Sequence, residues 1–251
     1  MRTAFVTKTL RKLLNDHVML ASNSVLAVCA GTAEQKLFQD VGLQNVTLTS
    51  LDPTMTREST TPFSSRLADV RNLPFDSGEF DFVFVSDGLH HCDSPHAALV
   101  EMYRVARKGV IVFESRDSAL MRFAVGRGLS EEYELAAVID NGGTCAGVNY
   151  TEIPNYVYRW SEREFEKVVA CADPTGKPTV KFFYGFNGPP REYTGVKAML
   201  FRVALTAAKI FSWVFKTQSN SFCMVALKPT QLFSWLELRD GVVRFRNPQV
   251  S

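Results

Sequence analysis

Two adjacent imidazoles, His90 and His91, close the stretch FDFVFVSDGLHH, whose apolar run also delivers Ser86 and Asp87. Imidazole titrates near neutral pH, so either ring could take a proton from a reacting hydroxyl, with His91 the preferred candidate. Either could equally pack beneath a loop as an architectural group. Upstream, Asp69 ends an extended run. Its carboxylate can accept from an exocyclic amine while the Val70 amide donates to a ring nitrogen. Ser50 and Asp52 lie two apart on a strand, point the same way, and could take a ribose. At VLAVCAGTAEQ, small residues let a ligand approach the backbone, and helix-terminal amides can hold a carboxylate. No GxGxxG occurs there, so a dinucleotide pyrophosphate is poorly supported. Together these groups fit an adenosine with an amino-acid tail and no phosphate. Singly, Asp52 or Asp69 could simply cap a turn.

The elements that must position them follow from apolar runs and turn residues. Residues 4–15 have helical spacing of Phe5, Leu10, Leu13 and Leu14. Residues 25–30 and 45–51 predict strands, and 33–41 a helix stopped by Gly42. Residues 54–65 predict a short loop or broken helix. Residues 80–86 predict the next strand, 95–107 a helix opened by Pro95 and closed by Lys108-Gly109, and 110–114 a further strand. This rhythm predicts a doubly wound parallel sheet with right-handed crossovers, whose ligands bind at the carboxyl ends of the strands. It breaks over 116–158, where a helical piece at 131–139 and a Gly-rich joint at 141–143 precede NYVYRW. Ser161 and Glu164 have capping-box spacing. Two late strands (179–186 and 220–227) flank the turn-rich GFNGPPREY and a long helix over 196–215. Residues 234–246 predict a hairpin pivoting on Asp240-Gly241. The expected organisation is one domain over 1–251. Its core spans 18–115 and 161–228, with a cap over 116–160, a helical insertion over 188–219 and an extension over 229–251.

At 251 residues and 46% apolar content, one full-sized core is expected. A net charge of +2 spread along the chain argues against a nucleic-acid partner. Five scattered cysteines without a CxxC pair argue against metal clusters and disulfide frameworks, and point to a reduced, cytoplasmic protein. Cys29 reads as a small buried hydrophobe rather than a nucleophile.

The segment ADVRNLPFDSGEFDFVFVSDGLHH carries a more specific signal. Its DxxxLPFxxxxFDxV core followed by LHH resembles the class I, Rossmann-like S-adenosylmethionine-dependent methyltransferases, in particular the type 11 group acting on small molecules and glycans. The resemblance covers residues 23–114 well and the rest loosely. It implies a mostly parallel seven-stranded sheet with one antiparallel late strand. It also implies S-adenosylmethionine as cofactor, S-adenosylhomocysteine as product, and methyl transfer to a small-molecule or glycan hydroxyl. By the same resemblance, Ala30 and Gly31 meet the methionine tail, Asp52 the ribose, Asp69 and Val70 the adenine, and Ser86 lies beside the sulfonium. The chain departs from the pattern at Ala27, where an acid is usual, and at Cys29 and Ala33, where glycines are usual. The usual ribose acid aligns with Ser50, leaving Asp52 as its substitute. These departures keep open an alternative, a non-catalytic adenosyl-ligand-binding or scaffold protein on the same fold.

Glu114, Arg116, Tyr133, Tyr156, Tyr158 and Arg159 could line a polar acceptor pocket or pack as a cap. In the helix over 196–215, Arg202, Lys209 and Lys216 share a face opposite Leu200, Val203, Ala207, Phe211 and Val214. With Lys197 also charged, a transmembrane span is not expected. The helix covers the sheet or acceptor site, or lies on a membrane surface. The sequence leaves the oligomeric state open.

Overall fold

The structure is a computed structural model that describes residues 2–55, 60–187 and 195–246. In the expected loop over 54–65, residues 56–59 lie outside that set. So do residues 188–194 of the turn-rich segment and 247–251 of the extension.

Nine strands and seven helices are assigned among the described residues. The helices are α1 (Arg2–Asn15), α2 (Thr32–Val41), α3 (Pro95–Val105), α4 (Ala119–Gly126), α5 (Leu135–Asp140), α6 (Glu162–Ala172) and α7 (Gly195–Val214). The strands are β1 (Ser24–Ala27), β2 (Asn45–Ser50), β3 (Ser64–Leu67), β4 (Phe80–Ser86), β5 (Ala106–Ser115), β6 (Thr179–Gly185), β7 (Ser221–Leu227), β8 (Leu236–Arg239) and β9 (Val242–Phe245). Seven of them form one sheet in the order β3-β2-β1-β4-β5-β7-β6. Only β7 runs against its neighbours, pairing antiparallel with both β5 and β6.

The core explains the strand sequences. A central parallel strand is buried on both faces and therefore reads as a continuous apolar run. In β4, Phe82 and Phe84 join the side held by Val6, Leu10 and Leu13 of α1 and Leu37 and Phe38 of α2. Val83 and Val85 join the other side, under Leu99 and Met102 of α3 and Phe165 and Val169 of α6. α2 stops where Gly42 turns into the left-handed region (φ 80°). α6 opens with the expected capping box, Ser161 Oγ accepting from the Glu164 amide at 3.3 Å.

Three boundaries differ from the sequence expectation. β5 begins at Ala106, directly after α3, rather than at Val110. Gly109 therefore lies inside the strand and not at a helix end. A Cβ there would stand 2.3 Å from the Ala226 carbonyl oxygen, so the β5–β7 approach requires glycine. α4 was not anticipated, and the helix expected over 131–139 starts only at Leu135. The hairpin β8–β9 pivots on Asp240 and Gly241, both with positive φ (52° and 76°), as a primed turn requires. No helix among the described residues is long and apolar enough to cross a membrane.

Candidate functional site

The carboxyl ends of β1, β2 and β4 surround a cavity of about 220 Å³. Its floor is a crossing of two loops. Cys29, just after β1, adopts φ 51°, and Gly88, after β4, lies against it. A Cβ on Gly88 would come within 2.4 Å of the Cys29 Cβ, so glycine is what lets the loops meet. The cysteine occupies a left-handed position that a glycine would adopt without strain.

Of the residues singled out from sequence, Asp69, Val70 and His91 line the cavity, and so does Ser50. Arg71 donates to Asp69 from its amide (2.9 Å) and its guanidinium (Nε to Oδ1, 3.0 Å), holding the carboxyl below its ordinary range. Asp69 is thus a permanent acceptor. Val70 is buried, and among the described residues nothing accepts its backbone N–H. Asp52 stands behind the wall. Burial pushes its carboxyl up, but bonds from the Thr54 amide (2.8 Å), the Thr54 hydroxyl (2.7 Å) and the Tyr150 phenol bring the net shift down.

Ala30, Gly31, Ser86 and His90 lie outside the lining. The Ala30 amide donates to the Thr49 carbonyl, and the Gly31 amide donates to Glu34 Oε2 at 2.9 Å. Ser86 donates to Asp87 at 3.5 Å. His90 is buried, with Nδ1 2.7 Å from Glu114 Oε2 and Nε2 3.3 Å from Glu134 Oε2. Glu114, at the end of β5, also accepts from the Leu89 amide at 2.7 Å. Burial opposes charge on His90, yet the two carboxylates override it and hold the ring up at about 9. The raised value, together with the absence of His90 from the cavity lining, weighs against His90 as the base and in favour of His91. His91 differs. Burial and the neighbouring His90 charge push it below its ordinary value, so it is neutral and able to accept. Its Nε2 lies 3.4 Å from Glu134 Oε2, and Glu134 is drawn down to about 2 by its bond from His90, despite partial burial.

The far wall comes from the segment between β5 and α6, through Ala146, Gly147, Asn149 and Tyr150. The Asn149 side chain accepts from the Asp93 amide at 3.2 Å, and Gly147 bonds His91 through its backbone. Sequence reasoning missed this wall, along with Glu134 and Cys92. The glycine cluster at 142, 143 and 147 was the available signal.

The six residues considered for an acceptor pocket lie elsewhere. Glu114 serves His90, and Arg116 forms a two-pronged pair with Glu162 at 2.9 and 2.8 Å. Tyr158 bonds Glu164, Arg159 donates to the Val157 carbonyl at 3.1 Å, and Tyr133 and Tyr156 pack edge to face 5.5 Å apart. Each of the six thus has a bonding or packing partner within the chain, while Tyr133 and Tyr156 stay about half exposed.

Residues 26–113 match the family model described as a methyltransferase domain. No curated protein matches the chain. Among solved structures, a methyltransferase of Haloferax volcanii in complex with the activator Trm112 is similar at 14% identity and TM-score 0.53, covering 84% of each chain. An S-adenosylmethionine-dependent methyltransferase of Thermotoga maritima is similar at 16% identity and TM-score 0.51, covering 91% of this chain and 92% of that one. The magnesium protoporphyrin IX methyltransferase of Synechocystis, solved with bound S-adenosylhomocysteine, is similar at 11% identity and TM-score 0.52, covering 89% and 82%. Residues 26–113 therefore form a methyltransferase domain, and the sheet around it has the class I, Rossmann-like fold of the S-adenosylmethionine-dependent methyltransferases it resembles.

Proposed function

We propose that the chain methylates a hydroxyl of a small-molecule or glycan acceptor, with the donor's nucleoside in the β1–β2–β4 cavity and His91 as the base. The observation that carries this reading is the sharing of one cavity by Asp69, Val70, Ser50 and His91. The donor set fits an adenosine. A charged carboxylate (Asp69) suits an exocyclic amine, the unaccepted N–H of buried Val70 suits a ring nitrogen, and Ser50 with Asp52 behind it suits a ribose. Ala30, Gly31 and Ser86 stand toward the methionine end by their order along β1 and β4. Bound S-adenosylmethionine supplies an electrophilic methyl group on a sulfonium. The chain's own contribution is to hold the acceptor oxygen close and in line. It also takes the hydroxyl proton on the His91 ring, whose imidazolium the Glu134 carboxylate, 3.4 Å from Nε2, stabilises.

Calorimetry with S-adenosylhomocysteine tests the nucleoside assignment. Asp69→Ala is expected to weaken binding by about 10-fold or more, the loss of a hydrogen bond to a charged acceptor. Unchanged affinity in that variant would place the adenine elsewhere.

A further inference from the structure

Helix α7 is a 20-residue excursion from the sheet. It leaves at Gly185 and returns at Ser221, which pair with each other, while Ser221 pairs with Ser115 at the carboxyl end of β5. The root is clamped. The Asn187 amide donates to Asn220 Oδ1 at 2.9 Å, the Asn220 side chain returns a bond to the Asn187 carbonyl at 2.6 Å, and the Arg116 amide donates to the Asn220 carbonyl at 3.0 Å. The helix therefore stands on the same edge of the sheet as the cofactor cavity.

Beyond the root, most of the described side chains of α7 are exposed. At 3.6 residues per turn, Trp213, Met199, Ile210, Val203 and Val214 fall within an arc of about 100°. They are 77%, 60%, 59%, 63% and 58% exposed. Ser212 is buried and Leu205 and Ala208 are half-buried on the inward side. Arg202 and Lys209 border the apolar arc beside Trp213. Between Glu192 and Glu237 the sequence holds no acidic residue but five basic ones, Lys197, Arg202, Lys209, Lys216 and Lys228. Arg202, Lys209 and Lys216 form no ion pair among the described residues. α4, whose Leu120 amide donates to Gln218 at the foot of α7, adds exposed Phe123.

This outward face, apolar apart from Thr206, whose hydroxyl donates to the Arg202 carbonyl, and bordered by cations along one side, is complementary to an apolar layer beneath an anionic surface. A second copy docking through the same face would bring like charges together without an acid to pair them. The helix, interrupted by Lys197, Arg202 and Lys209, is not apolar enough to cross a bilayer. We infer that α7 is an interfacial helix that seats the protein on an anionic lipid bilayer. Seated so, the chain turns the cavity's edge of the sheet toward the lipid, which suits an acceptor carried on a lipid anchor. That acceptor clause rests on the methyl-transfer reading, whereas the docking itself does not.

Co-sedimentation of the full chain with vesicles tests this, using phosphatidylcholine alone and phosphatidylcholine with about a quarter phosphatidylglycerol, at low and high salt. The expected result is at least about 10-fold stronger partitioning to the anionic vesicles, weakening with salt. The pair Arg202→Glu and Lys209→Glu should remove that preference. The pair Ile210→Ser and Trp213→Ser should weaken binding by about 10-fold or more even at low salt. All these side chains are exposed, so both variants should retain S-adenosylhomocysteine affinity within about twofold, which guards against misfolding. A wild-type chain left in the supernatant at low salt would overturn the inference. So would vesicle binding unchanged in both variants, or self-association through α7 without vesicle binding. Vesicle binding by a chain that fails to bind S-adenosylhomocysteine would sink the cofactor reading and leave the docking intact.

Discussion

At the scale of single residues, the adjacent histidines are set apart by what surrounds each ring. His90 sits between Glu114 and Glu134 and keeps its proton, whereas His91 meets solvent on one side and a positive neighbour on the other. A lowered pKa keeps His91 in its accepting form to pH values below 6.5. The acid limb of kcat is therefore expected below pH 6.5 rather than above it. His91→Asn should lower kcat by about 10²–10⁴-fold while leaving S-adenosylhomocysteine affinity intact. A pH–rate profile on a sugar or phenolic acceptor, with and without that substitution, is the measurement. A variant as fast as wild type would remove His91 from the chemistry. The pair of imidazoles at a strand's end was legible from sequence, but their division of labour was not. Glu114 and Glu134 lie 24 and 44 residues from His90, and neither has a local pattern linking it to the rings.

At the scale of elements, the β1 and β4 loops meet at one tight crossing. Adding a methyl group at Gly88 puts it 2.4 Å from the Cys29 Cβ and 2.9 Å from Val85 Cγ2. Gly88→Ala should destabilise the fold by about 1–3 kcal/mol. Cys29→Gly on that background should restore part of the loss, because it removes the nearer clash and a non-glycine residue at φ 51°. Thermal melts of the two single variants and the double would show it, and strict additivity would mean that the loops do not touch. The strands here were readable for a physical reason. Residues buried on both faces leave runs such as FDFVFV, with no polar interruption except Asp81, whose carboxylate is held by Arg107 and the Ser24 amide. α4 was unreadable for the opposite reason. None of ALMRFAVG is buried, so no stripe toward a core marks it as a helix. The cavity's far wall was hidden too, since Ala146, Asn149 and Tyr150 reach it through positive φ values that their residue types do not announce.

At the scale of the whole molecule, the cluster of two histidines and two glutamates, half of it buried, links stability to pH. His90, raised from 6.5 to about 9, contributes stability that is full below pH 6.5 and lost as pH climbs through 9. Glu134, lowered from 4.5 to about 2, contributes stability present above pH 4.5 and lost as pH falls through 2. His91 is lowered, so its protonation favours the unfolded chain below pH 6.5 and tilts the same window against acid. Melting temperature is expected to decline from pH 6.5 to beyond 9, and Glu114→Gln should flatten that alkaline decline. A wild-type curve level across that range would contradict the linkage.

The phenol of Tyr150, bonded to Asp52, joins the segment that follows β5 to the loop that follows β2. A substitution at Tyr150 is therefore expected to loosen both strand-end segments together rather than one alone.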